Sequence, residues 1–281
     1  YFRENHLFWD LLNHGHHTSG LFVSTFLEKY ERHQVISHLH RAWFEFCRMS
    51  GIITWMSYGN LIGWRYMGYN LIYDNDIDVQ MPITELHRLG RDYNRTLIIE
   101  DPRFGNGKFY LDINTWIARG SQTNAIDGRF LDTRTGTYID LSGLTYKGSD
   151  KHAPDKFYAN NDEKKTRPAV VDHNNNWFLE DQISPLRLTL FEGTQSYIPA
   201  KSEEIMTIKY GPNSYTQKNF NGNNFQEDIG QMVSDGDCKG PPATRWANDP
   251  EHEKMTLAGA CGNPFILNEW NHSKKFYKLH Q

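Results

Sequence analysis

The sequence predicts an α+β fold, a mixed β-sheet flanked by helices, and three features carry that expectation. Apolar residues recur at helical spacing over residues 24–49, with Val35, Leu39, Trp43 and Phe46 on one stripe and Gly51 as a natural stop. Around residues 76–80 the pattern alternates instead: Ile77 and Val79 face one way, Asp76, Asp78 and Gln80 the other. Turn residues between apolar runs at 104–108 and 133–136 mark two hairpins. Strands interleaved with helices in this order favour a mixed sheet.

Taken in order, Ile52-Ile53-Thr54-Trp55-Met56 reads as a strand, Gly59-Asn60 as a turn, and residues 61–69 as a short helix. Pro82 closes the alternating strand, and Thr84 is expected to cap a helix running to Arg95. In the second hairpin, the arm Thr137-Tyr138-Ile139-Asp140-Leu141 places Asp140 opposite Ile139, out of the apolar layer if Ile139 is buried. Residues 145–176 are polar and read as an irregular excursion. Residues 177–199 return to the core, and 202–210 form a short helix ending at Gly211. From Pro212 onward Gly, Asn and Pro dominate, so loops are expected. The expected organisation is a helical extension (1–50), a core (51–211) and a loop-rich extension packed on it (212–281).

Composition narrows the function classes. The 281 residues can bury a sizeable core. A net charge of -4, with acids and bases interspersed, lacks the concentrated basic face of a nucleic-acid binder. No apolar run approaches the roughly 20 residues of a membrane span. The chain begins at Tyr1 rather than Met and is read as a piece of a longer protein. Cys47 falls in the helical pattern as a buried thiol, whereas Cys238 and Cys261 can pair in an oxidising compartment. The sequons Asn94-Arg95-Thr96 and Asn271-His272-Ser273 also favour the secretory pathway.

The segment Tyr73-Asp74-Asn75-Asp76-Ile77-Asp78-Val79 carries the chemistry. Carboxylates two apart on a strand share a face, so Asp76 and Asp78 can hold one divalent cation, with Asp74 on the same side if the strand begins early enough. Hard oxygen donors suit Mn²⁺ or Mg²⁺ on a diphosphate. An EF-hand loop starts similarly, but its sixth position requires Gly and here it is Val79. A solvated acidic strand edge is the other alternative. His14-Gly15-His16-His17 reads as a polar loop rather than a zinc site, and Trp43, Trp55 and Trp64 suit a core or a sugar-stacking wall equally.

Ser57-Tyr58-Gly59-Asn60-Leu61-Ile62-Gly63-Trp64-Arg65, followed by the Asp-rich strand, resembles the signature of the LicD family, which attaches phosphocholine, ribitol phosphate or mannose phosphate to glycans and includes fukutin and its related protein. Tyr73 replaces a commoner Trp and Asn75 a usual Asp. Gly128-Arg129-Phe130-Leu131-Asp132 through Ile139-Asp140-Leu141 resembles the fungal branch, while Phe191-Glu192-Gly193, Pro199 and Tyr210-Gly211 resemble the closing motif. The likeness covers about residues 51–211.

That resemblance implies a nucleotidyltransferase-like core and transfer of mannose 1-phosphate from GDP-mannose to mannan or other glycans. It also implies Mn²⁺ (or Mg²⁺) and a Golgi-lumenal type II protein whose membrane anchor lies outside this chain. Asp76 and Asp78 would hold the metal with Asp74. Asp140 would complete the site or accept the acceptor's proton, with Asp112 as its substitute. Gly59, Asn60, Arg65, Asp132 and Arg187 are the further candidates for the donor, although a plain turn accounts for Gly59, an exposed helix arginine for Arg65, and a hairpin turn and a surface ion pair for Asp132 and Arg187. Two alternatives stay open: a CDP-linked donor of phosphocholine or another phospho-alditol, and a non-catalytic regulator of a transferase.

Overall fold

A computed structural model describes residues 19, 21–22, 27–114, 126–147, 152–220, 222–227 and 230–234. Its centre is a six-stranded mixed sheet in the order β1-β2-β6-β5-β4-β3. The strands are β1 (Trp55–Met56), β2 (Ile77–Pro82), β3 (Thr96–Ile99), β4 (Lys108–Ile113), β5 (Gly128–Asp132) and β6 (Tyr138–Leu144). All pairs are antiparallel except β2 with β6, which run parallel. A parallel pair needs a crossover between its members, and α3 (Ile83–Asp92) with β3, β4 and β5 fills it.

The two faces of this sheet differ in chemistry because side chains alternate along each strand. Ile77, Val79, Met81, Phe109, Leu111, Phe130, Ile139 and Leu141 are all at most 1% exposed. They meet α1 (Lys29–Ser50), whose Trp43 ring lies 5.3 Å from that of Phe130. Burying Trp43, Ile36, Leu39 and Cys47 fixes the helix on the sheet. At its end Gly51 adopts φ 65, a left-handed conformation that favours glycine. The opposite face carries Asp78, Gln80, Arg129, Asp140 and Ser142.

Beyond the sheet, α2 (Gly59–Tyr66) connects β1 towards β2. The short helix α4 (Asn161–Thr166) precedes the hairpin of β7 (Ala169–Val171) with β8 (Trp177–Leu179). Then come α5 (Glu180–Ile183), the hairpin of β9 (Arg187–Phe191) with β10 (Thr194–Ile198), and α6 (Ser202–Tyr210). Six helices and four sheets, among the described residues, make this a mixed α+β molecule. No helix of the described residues is long and apolar enough to cross a membrane.

Local expectations were revised in four places. The helix after Pro82 starts at Ile83 with Pro82 as its cap residue, so Thr84 sits inside the first turn and caps nothing. The Gly59-Asn60 pair opens α2 rather than forming a separate turn. Residues 145–176 include regular structure in α4 and β7, because Asn160 caps α4 through its side-chain oxygen. Past Pro212, β11 (Asn219–Phe220), β12 (Asn223–Gln226) and β13 (Gln231–Ser234) form a three-stranded sheet. Its Asn-rich strands have poor intrinsic β preference, but Phe220 and Phe225 pack on Tyr66 of α2 at 5.9 and 5.1 Å. Cys238, Cys261, Asn271 and the His14–His17 cluster lie outside the described residues. Cys47 is a buried free thiol.

Candidate active site

A row of charges crosses the polar face of the sheet. Asp78 of β2 is level with Asp140 of β6, Asp140 with Arg129 of β5, and Arg129 with Asp112 of β4. Cross-strand partners share a face, so register alone brings these side chains into line. Arg129 Nε donates to Asp140 Oδ1 at 3.0 Å, and both residues are buried. Arg129 also lies 4.0 Å above the Tyr138 ring. Asp112 is thus separated from Asp140 by the guanidinium, whereas Asp78 adjoins Asp140 directly.

Asp74 and Asp76 reach the same place from the loop before β2, which begins at Ile77. Asp74 and Asp76 are linked by a side-chain hydrogen bond. Burial first, then the charge of Asp76, holds the Asp74 carboxyl well above the usual carboxylate range. Asp78 is pushed the same way by burial and by Asp76, Asp140 and Asp74, with Lys209 opposing. Three carboxylates therefore crowd Asp78 while a single lysine offsets them, a balance that favours a cation.

Local sequence builds this cluster. Tyr58, at the entry to α2, has φ 49, uncommon for a residue with a Cβ. Its hydroxyl donates to Asp172 Oδ2 and accepts from Gln80 Nε2 at 3.1 Å and Asn176 Nδ2 at 3.0 Å. Gly59 makes room for the acidic loop, since a Cβ there would stand 2.6 Å from Asp74 Oδ2. Asn60 clamps the two segments: its Oδ1 accepts from the Asp78 N–H and its Nδ2 donates to Asn70 Oδ1, both at 2.9 Å. The Asn60 side chain is thereby committed to holding the start of α2 against β2 and Asn70.

The remaining predicted residues lie apart from the cluster. Asp132 falls on the apolar side of β5, level with Phe109, and its carboxylate binds the Arg134 N–H and the Thr135 hydroxyl of the hairpin turn. Arg65 and Arg187 line a separate cavity of about 690 Å³, together with Trp64, Tyr66 and Tyr215. No carboxylate of the acidic cluster is among that cavity's lining residues.

Residues not singled out for the site complete its surroundings. A cavity of about 240 Å³ is lined by Tyr58, Phe157, Asn176, Trp177, Lys209 and Tyr210 among others. Lys209 Nζ donates to Asn176 Oδ1 at 2.7 Å and lies 4.6 Å from the centre of the Tyr58 ring. Burial, then the charges of Asp78, Asp74 and Asp76, push the Tyr210 hydroxyl up. Tyr210 belongs to the closing Tyr-Gly pair visible in the sequence, but Lys209 and Asn176 carry no local signal. Only the packing of α6 and the β7–β8 turn brings them here.

The donor set of Asp74, Asp76 and Asp78 is carboxylate oxygen throughout, the chemistry that hard divalent cations take. As they stand, no three His, Cys, Asp or Glu side chains among the described residues are gathered at metal-holding separation.

No family model matches the chain. It is 37% identical over 158 residues to mannosyltransferase regulator 4 of Saccharomyces cerevisiae, and 39% identical over 152 residues to mannosyltransferase regulator 14 of the same yeast. These matches cover 54% and 52% of this chain but only 13% and 16% of the yeast proteins, so the chain spans a small part of their length. The chain is therefore a distant, partial homologue of two yeast mannosyltransferase regulators.

Proposed function

We propose that this chain is a LicD-type, metal-dependent transferase that moves mannose 1-phosphate from GDP-mannose to a mannose residue of a glycan, in the Golgi lumen. The observation that carries the reading is the register of Asp78 beside Asp140, with Asp74 and Asp76 folded onto the same spot. Mn²⁺ or Mg²⁺ at Asp74, Asp76 and Asp78 would neutralise diphosphate charge. The chain's own groups do the rest. Lys209 sits where it can meet a phosphate oxygen, and the aromatic residues of the 240 Å³ cavity offer faces for a base or sugar. The acceptor oxygen bonds to the phosphorus bearing mannose as the bond to GMP breaks. Its proton passes to a cluster carboxylate, and Asp140 is the residue we assign to that step.

The test is GMP release from GDP-mannose with a mannose oligomer and Mn²⁺. Asp76→Asn and Asp78→Asn each remove charge and keep shape, so each should abolish release while melting as wild type does. Normal turnover by either variant would defeat the assignment.

A second reading is favoured by the names of both relatives: a regulator that binds a mannosyltransferase without catalysing transfer. It predicts no GMP release by the isolated chain, and an increase in the activity of a mannosyltransferase mixed with it. Asp78→Asn would leave that increase unchanged.

A further inference from the structure

The 690 Å³ cavity stands apart from the acidic cluster and is lined by two arginines and several aromatic residues. Its walls come from α2, the start of β9, α6 and the β11–β12 region. Arg65 and Arg187, distant in sequence, both open into it, and both are exposed. Among the described residues neither guanidinium has a hydrogen-bond or ion-pair partner, and neither faces a carboxylate across a salt bridge. Each instead lies over aromatic rings. Arg65 is 5.0 Å from the centre of Tyr215 and 5.7 Å from that of Tyr66, and Arg187 is 5.7 Å from that of Trp64.

The rings are themselves fixed. Trp64 Nε1 donates to Thr189 Oγ1 at 2.9 Å, and the Tyr66 hydroxyl donates to the Gln217 carbonyl at 2.6 Å. Two guanidiniums seated on anchored aromatic faces are pre-organised donors, since little side-chain freedom remains to be lost on binding. The third cation, Lys218, is already paired with Glu227. Glu203 adds an acceptor for hydroxyl groups.

Aromatic walls, forked donors and a carboxylate acceptor together match a ligand with a phosphate, an apolar ring face and several hydroxyls. We propose that this cavity binds a phosphate-bearing saccharide, with Arg65 and Arg187 on the phosphate and Trp64 and Tyr215 against the sugar. This assigns the two arginines to a second site rather than to the donor. The choice of mannose as the sugar rests on the function proposed above; the anion site does not.

Isothermal titration of the chain with mannose 6-phosphate, without added metal, tests this. Mannose 6-phosphate should bind saturably, with neutral mannose and inorganic phosphate each at least tenfold weaker. Arg65→Gln and Arg187→Gln should each weaken mannose 6-phosphate about tenfold or more, the loss expected for one charge-assisted contact. Arg65→Lys and Arg187→Lys should recover part of it. Asp78→Asn should bind as wild type does. Melting curves establish that the variants fold, and both arginines are exposed. Absence of wild-type binding, equal binding by the glutamine variants, or an equal loss in Asp78→Asn would each overturn the proposal. Absence of GMP release by the wild-type chain, with intact mannose 6-phosphate binding, would sink the transferase reading and leave this site standing.

Discussion

Asp78 of β2 and Asp140 of β6 stand directly opposite one another on parallel strands, and the Arg129 guanidinium of β5 closes on Asp140 from the other side. Asp140 thus has a guanidinium bonded to it, whereas Asp78 is crowded by Asp76, Asp140 and Asp74 with only Lys209 opposing them.

Asp140→Asn should separate two roles. Removing its charge leaves the buried Arg129 guanidinium uncompensated, which costs about 3 kcal/mol. If Asp140 also accepts the acceptor's proton, turnover at a temperature where the variant is folded should fall about 10²-fold. Asp112→Asn, beyond Arg129, should be mild in both. Turnover lost only in step with the folded fraction would make Asp140 purely structural, and the opposite ranking would move the proton step to Asp112.

Gly59→Ala should uncouple stability from the site. Alanine in a helix normally stabilises by up to about 1 kcal/mol relative to glycine. Here the new Cβ would stand 2.6 Å from Asp74 Oδ2, so the carboxylate must move. We expect a melting temperature close to wild type and Mn²⁺ affinity at least tenfold weaker by electron paramagnetic resonance. Unchanged Mn²⁺ affinity would remove Asp74 from the metal set.

Asn60→Ala should act through the fold. It deprives the part-buried Asp78 N–H and the buried Asn70 Oδ1 of their partner, and each orphaned group costs about 1–3 kcal/mol. Urea denaturation should register about 3 kcal/mol. A loss below about 1 kcal/mol would mean that α2 and the acidic loop are held elsewhere.

His40 provides a pH handle remote from the acidic cluster. It is fully buried between Phe44 and Phe191, bonded through Nε2 to Ser196 Oγ at 2.8 Å. Burial first, and then the charge of Arg41, lower its pKa to about 3. With the folded value depressed, the unfolded state binds the extra proton as pH drops below about 6.5. Stability from this group is therefore complete above that pH. It is lost by about 1.4 kcal/mol per pH unit on the way down to about pH 3. The stability difference between wild type and His40→Gln should follow that slope and flatten above about pH 7. A difference independent of pH would show His40 is not buried neutral.

Much of the fold was legible locally. The stripe of Leu39 and Trp43, the alternation of Ile77 and Val79, and the turn at 133–136 each state a periodicity that one element must obey. Asp140 opposite Ile139 was legible for the same reason, since alternation dictates which side each residue takes. The Asn-rich strands after Pro212 were not, because their stability comes from Phe220 and Phe225 packing on Tyr66 rather than from their own preference.

The sequence by itself marked Asp74, Asp76 and Asp78 as one group by their spacing of two, but it put Asp76 on the strand with Asp78, whereas β2 begins at Ile77 and both Asp74 and Asp76 belong to the preceding loop. It could not decide what lies beside a strand, because register between strands is settled by the whole sheet. Only the tertiary structure set Asp140 level with Asp78, put Arg129 between Asp140 and Asp112, decided for Asp132 between the cleft and the hairpin turn, and gathered Arg65 and Arg187 at one cavity. Periodicity is a property of neighbours in the chain, whereas a site is a property of neighbours in space, fixed when apolar faces are buried and the polar face follows.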